Sequence, residues 1–151
     1  MLHRAVAISS VFFLGVFSPA AAFDPPLGDV PPAESRLWGF SPELPACADG
    51  FVLAEIQREF WDRERDYWNS ALSLDAFDGV REIGYRTNGL SYIPRRWCEA
   101  RAQFNDGALR KVVYQIGQGL GFIGAGWGVE WCVDGLDRNY AYAPHCRAAG
   151  P

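Results

Sequence analysis

The stretch RWCEARAQFNDGALRKVVYQIG, residues 96–117, decides the fold. Arg96 to Asn105 alternates, with Cys98, Ala100, Ala102 and Phe104 together on one side. Strict alternation puts successive side chains on opposite faces of a strand, so this is a half-buried strand. Asn105-Asp106-Gly107 follows, and these residues tolerate positive φ, which makes a good hairpin turn. Leu109 to Gly117 then returns as the partner strand, with Val112, Tyr114 and Ile116 pointing inward.

Working outward, Gly128 to Val133 reads as a last strand with Val129, Trp131 and Val133 on one face. On the other side, Arg81 to Thr87 reads as a strand with Ile83 and Tyr85 on one face, and Asn88-Gly89 as a turn. Ser70 to Gly79 reads as a connection. Before it the period changes from two to 3.6. Val52, Leu53, Ile56, Phe60 and Tyr67 form one apolar stripe on a helix from about Gly50 to Asn69, with Asp49 as N-cap. Charged residues occupy most of the remaining helix surface, and Glu59 and Arg63, four apart, are expected to pair. The expected fold is α+β: one long N-terminal helix, apolar stripe down, on a four-stranded antiparallel sheet, in a cystatin-like or NTF2-like arrangement. Such an analogy carries no function.

The N-terminus has the three parts of a secretory signal: a short basic start ending at Arg4, an uncharged apolar run from Ala5 to Phe17, and Ala20-Ala21-Ala22 before a cleavage point at Phe23. The apolar run is short of the ~20 residues that span a bilayer. The expected organisation is a signal peptide at 1–22, a Pro-rich arm at 23–45 and one domain at 46–151. Within the arm, Trp38, Phe40 and Leu44 are apolar and expected to dock on the domain. All four cysteines, Cys47, Cys98, Cys132 and Cys146, lie beyond the signal. An even count in an exported chain implies two disulfides, and the close pairs that metal cages use are missing. Three connectivities are open. Loop closure favours Cys47–Cys98 with Cys132–Cys146, tying the helix start to the sheet and closing a short loop after the last strand.

Of the 14 basic residues in the whole chain only Lys111 is a lysine, an arginine bias that fits GC-rich coding and a bacterial source. Loss of Arg4 with the signal leaves 13 basic against 18 acidic residues, a net −5. This argues against nucleic acid, whose binding rests on clustered basic charge, and against electrostatic attachment to anionic lipid.

No catalytic constellation stands out. Gly119-x-Gly121-x-x-Gly124 matches the dinucleotide fingerprint literally, but a short strand follows where the motif needs a helix. The glycine run reads better as a wide connection between the last two strands, with Phe122 and Ile123 tucked beneath it. No cofactor is expected. His145 is the only histidine beyond the signal and adjoins Cys146, so a Cys–His nucleophile would need a thiol that the disulfide consumes. Asp134 to Asn139 lacks the oxygen ligands of a calcium loop and reads as a tight turn. Glu55, Glu59 and Asp62 lie on neighbouring helical turns, where a pair could act as general acid and base. A charge run of this kind is more often a solvated helix face. The aromatic residues Trp61, Trp68, Trp97 and Trp127, with Trp38 and Trp131, offer flat faces for sugar rings or apolar peptides, and Arg95 and Arg96 beside Trp97 form a basic–aromatic spot.

The segments Ile93-Pro-Arg-Arg-Trp-Cys98 and Trp127 to Cys146 resemble a family of small exported four-cysteine proteins of alphaproteobacteria. The likeness covers about Cys47 to Pro151. That family has no assigned activity, so the resemblance implies a periplasmic home and carries over no functional residue. The expected role is a non-enzymatic periplasmic domain that binds an envelope protein, peptide or glycan. The alternatives are a cell-wall hydrolase using the helix carboxylates, or a small-ligand pocket between helix and sheet.

Overall fold

The computed structural model describes residues 43–86 and 93–151. The signal, Trp38, Phe40 and the Asn88-Gly89 turn lie outside the described residues. Helix α1 spans Gly50–Trp68, and strands β1 Leu74–Arg86, β2 Arg95–Phe104, β3 Leu109–Gln118 and β4 Trp127–Val133 follow. The strands form one antiparallel sheet in chain order, so β1 and β4 are its edges. The class is therefore α+β, with two disulfides, Cys47–Cys98 and Cys132–Cys146.

Helix α1 begins where the Asp49 carboxylate accepts the Phe51 amide at 2.9 Å, satisfying a donor that the first turn leaves unbonded. It ends at Asn69, which adopts the left-handed conformation at φ 47°. The buried stripe is Val52, Ile56, Phe60 and Glu64. The expected stripe differs at its end. Tyr67 is exposed, and Glu64 takes the inward position because Arg138 reaches it at 2.9 Å. The expected Glu59–Arg63 pair is also absent. Glu59 accepts from the Trp131 indole and Arg63 lies over the ring of Trp131, while Arg58 bonds Glu55 and Asp62 along the helix.

Pleating gives the sheet two faces, and each has its own cover. Register places Cys98 beside Tyr114 and Tyr114 beside Trp131, with Ala100, Val112 and Val133 in the next row. These residues share a face and are buried under α1. Phe60 stands edge-on to Phe104 at 5.3 Å and tilted to Trp131 at 5.6 Å. The Tyr114 hydroxyl donates to the Cys47 carbonyl at 2.7 Å, and burial pushes its pKa well above the ordinary phenol value. On the opposite face Val113 and Cys132 pair, and the C-terminal segment covers them with Cys146, Ala149 and Tyr142. Each disulfide ties one cover to its face: Cys47–Cys98 fixes the entry to α1, and Cys132–Cys146 fixes the C-terminal segment. Leu44, the arm residue within the described range, is buried in the first core.

The strand β1 starts at Leu74, inside the stretch expected to be a connection. Its register against β2 shifts between Leu74 and Ala76, between Asp78 and Arg81, and between Glu82 and Gly84. Leu74, Phe77 and Val80, which pack on the core, therefore fall three residues apart, and the period of two that marks a strand is hidden.

The glycine run connects β3 to β4 as expected, but Phe122 and Ile123 are not tucked under it. They are 87% and 86% exposed. Ile123 holds φ 51°, a conformation costly for a β-branched residue. Gly121 has no such φ, yet a Cβ there would lie 2.0 Å from the Ala125 carbonyl oxygen and 2.8 Å from that of Trp127. Gly124 has the opposite need: space around it is open, but φ is +77°. Gly121→Val is expected to lower stability by about 2–3 kcal/mol through backbone displacement, measured by urea unfolding. An unchanged midpoint would refute this packing role.

Candidate binding groove along the sheet edge

Strand β4 is an edge, so among the described residues no strand lies beyond its outer backbone groups. Gly119 donates to the Gly126 carbonyl at 2.7 Å, and Asp134 donates to that of Lys111 at 2.9 Å. Between these two bonds the register directs Gly128, Glu130 and Cys132 toward β3. Trp127, Val129 and Trp131 therefore turn their amides and carbonyls outward. Among the described residues, no hydrogen bond reaches these outer groups of Val129 and Trp131.

Two cavities lie along this edge. One, of about 540 Å³, lies between the second half of α1 and residues 129–131, and Tyr142 also lines it. The other, of about 580 Å³, lies between the start of α1, the glycine connection and residues 127–129. Both include Arg58, Glu59 and Val129, so they form one groove. Consecutive residues of a strand point to opposite faces. A cavity lined by Trp127, Gly128 and Val129, and another lined by Val129, Glu130 and Trp131, must therefore meet the strand at its edge. From α1 the groove receives Phe51, Glu55, Arg58 and Asp62, which recur at helical spacing beside the buried stripe. Phe51 and Phe122, both strongly exposed, make one end apolar.

The middle of the groove is polar and ordered. The Trp131 indole donates to Glu59 at 2.8 Å, and the Arg63 guanidinium stacks on the same indole at 3.9 Å. Arg58 bonds Glu55 at 2.6 Å and Asp62 at 3.0 Å. The hydrogen bond from Arg58 holds the Glu55 carboxyl below the usual range. Burial pushes the Glu59 carboxyl up, against the opposing pull of the Trp131 bond.

A carboxyl whose pKa is raised on folding binds its proton more tightly in the folded state. Stability from Glu59 is thus fully present below its unfolded pKa and is lost as pH rises through the higher folded value. Glu59→Gln keeps an acceptor for the Trp131 indole and removes the titration. Its stability relative to the native chain is expected to improve as pH rises from about 4 toward neutrality. Urea midpoints measured across that range check this, and a parallel pH dependence of the two proteins would refute it.

The structure gathers only some of the residues singled out in the sequence. Glu55, Glu59, Asp62 and Trp127 line the groove. Trp61 is on the exposed surface of α1, and Trp68 lies under the Arg138 guanidinium at 4.8 Å. The Arg95-Arg96-Trp97 spot is divided by the strand pleat. Arg95 lies across Gly117 and donates to the Gln118 carbonyl at 3.1 Å, on the side of the sheet where Arg86 covers Trp97. Arg96 lies on the helix side, where it bonds Glu82 and packs on Tyr85 at 4.6 Å. Trp131 also lines the groove, and so do Phe51 and Phe122, which the sequence reading does not single out as binding residues. Phe51 was legible, since it precedes Glu55 and Arg58 at the spacing of one helical stripe.

The other motifs find structural places. The glycine fingerprint sits in a connection between antiparallel strands with a three-residue 3-10 turn, so the strand-to-helix cradle for a pyrophosphate is not formed. Cys146 is in a disulfide, and His145 contacts Asp134 at 3.1 Å on the surface. Asp137 accepts the amides of Ala141 and Tyr142 and so closes the turn after β4. Among the described residues, no group of three or more His, Cys, Asp or Glu is placed to hold a metal ion, and no helix is long and apolar enough to cross a membrane. No family model matches the chain, and comparison with curated proteins and with solved structures gives no significant match.

Proposed function

We propose that this is an exported, non-enzymatic binding domain of the cell envelope, and that it holds a polypeptide segment in the groove between α1 and β4. The observation that carries this reading is the groove itself: an open channel that runs along unbonded backbone groups and ends in exposed Phe51 and Phe122. Exposed large apolar side chains grouped at a concave site favour a partner over bulk water. Two disulfides are compatible with an oxidising compartment outside the cytoplasm. The secretory pattern at residues 1–22 and the resemblance to small exported alphaproteobacterial proteins support a periplasmic home. A helix on a four-stranded antiparallel sheet suits a cystatin-like arrangement, and this says nothing of the ligand.

A photo-crosslinking residue at Phe122, compared with one at Leu109 in the β2–β3 hairpin, tests the reading in growing cells. Crosslinks to polypeptide are expected from position 122 and not from position 109. Equal labelling at both positions, or crosslinks only to lipid or glycan, would end the proposal.

One observation favours a second reading. Glu55 and Glu59 lie in the groove with their carboxyls pushed in opposite directions, as in acid–base pairs. Peptidoglycan turnover by purified protein that disappears in Glu59→Gln would establish a hydrolase. Turnover no higher than that of buffer is the outcome expected here.

A further inference from the structure

We infer that the groove's occupant is an extended segment of another protein, rich in alternating apolar and basic residues, which adds to β4 as a fifth strand. This rests on the groove being a polypeptide site and specifies the chemistry of what enters it.

Three observations point the same way. The first is the backbone. Val129 and Trp131 present donors and acceptors along the groove floor at strand spacing, and only another extended chain matches such a row. The second is charge. The groove carries the carboxylates of Glu55, Glu59, Asp62, Asp66 and Glu130 against the guanidinium groups of Arg58 and Arg63. Arg65, which pairs with Asp62 and Asp66 from outside the groove, still leaves the acids in excess by two. An acidic channel recruits a basic ligand and repels an acidic one. The third is the apolar end. Phe51 and Phe122 flank a cavity floored by Trp127 and Val129, large enough for one apolar side chain.

The same features argue against two other occupants. A second copy of this chain would bring the same acidic excess to the same edge. The chain's own arm, residues 23–45, holds Asp24, Asp29, Glu34 and Glu43 against Arg36 alone, and its prolines cannot donate along a ladder.

The test is selection of a short random peptide library on the immobilised full-length, oxidised chain, with the Phe122→Ser chain as counter-selection. Phe122 is exposed, so that variant is expected to fold. Enriched peptides are expected to alternate apolar residues with Lys or Arg. In a synthetic copy of the enriched peptide, N-methylation of the alternate amides facing β4 should weaken binding by about tenfold or more, with little effect at the intervening amides. Exchange of the Val129 and Trp131 amides should slow by at least about tenfold in the complex. Changing the basic residues of the peptide to Glu should weaken binding by a similar factor.

Peptides that bind at Phe122 but tolerate N-methylation, leave both amides exchanging freely, or carry acidic residues equally well would overturn strand addition while leaving a polypeptide groove. Failure of any peptide to be enriched over the Phe122→Ser control would overturn both readings. Protection of the two amides by self-association without peptide would overturn the assignment to another protein.

Discussion

Replacing Cys47 and Cys98 together by alanine is expected to lower the stability of the oxidised domain by about 4 kcal/mol. The bridge joins positions 51 residues apart, so all of α1 and all of β1 lie inside the loop that it closes. Without it, the unfolded chain regains the freedom of that loop, and the folded chain loses the tie between the entry to α1 and β2. The effect should spread beyond the sulfurs. Tyr114 donates to the carbonyl of Cys47, so a loosened entry would also leave a buried hydroxyl without its acceptor. The corresponding change at Cys132 and Cys146, 14 residues apart, should cost about 3 kcal/mol and release the C-terminal cover from the other face. Urea unfolding of both double variants checks the order. A loss below about 1 kcal/mol for the first pair would show that the bridge only decorates a fold held by its core.

Removal of the Arg138 guanidinium is expected to be nearly as severe. Glu64 is fully buried on the core stripe of α1, one oxygen meets Arg138 at 2.9 Å, and the other has no partner among the described residues. Arg138→Ala would leave the carboxyl buried and without its partner, at a cost of about 3 kcal/mol or more. The double variant Glu64→Met, Arg138→Leu removes both charges and keeps the volume, and should return to within about 1 kcal/mol of the native chain. A thermodynamic cycle over the two single variants and the double one isolates the pair. If the double variant is no more stable than Arg138→Ala, the loss belongs to the packing of Arg138 on Trp68 and not to the stranded carboxyl.

The regular part of this architecture was legible in the sequence because alternation and helical spacing are local. Cys98 to Phe104, Val112 to Ile116 and Val129 to Val133 all have their inward sets where the pattern puts them. Three features were not legible, each for a nonlocal reason. The register shifts of β1 hide its period. Glu64 faces inward only because Arg138, 74 residues away, meets it there. Phe122 and Ile123 look like core by composition, and nothing local says that the glycine connection holds them out. The candidate groove was half visible: Glu55, Glu59, Asp62 and Trp127 could be named, while the open edge that joins them depends on β4 being last in the sheet.

An edge strand is also a surface on which chains can zip together. In Trp127-Gly-Val-Glu-Trp131 the sole charge is Glu130, which bonds Gln115 on the neighbouring strand. A carboxylate in the middle of so apolar a run acts as a gatekeeper, since stacking this segment on itself would bring like charges together. On this argument Glu130→Val is expected to let the border pair with its own kind and form ribbons, which light scattering of the concentrated protein would register.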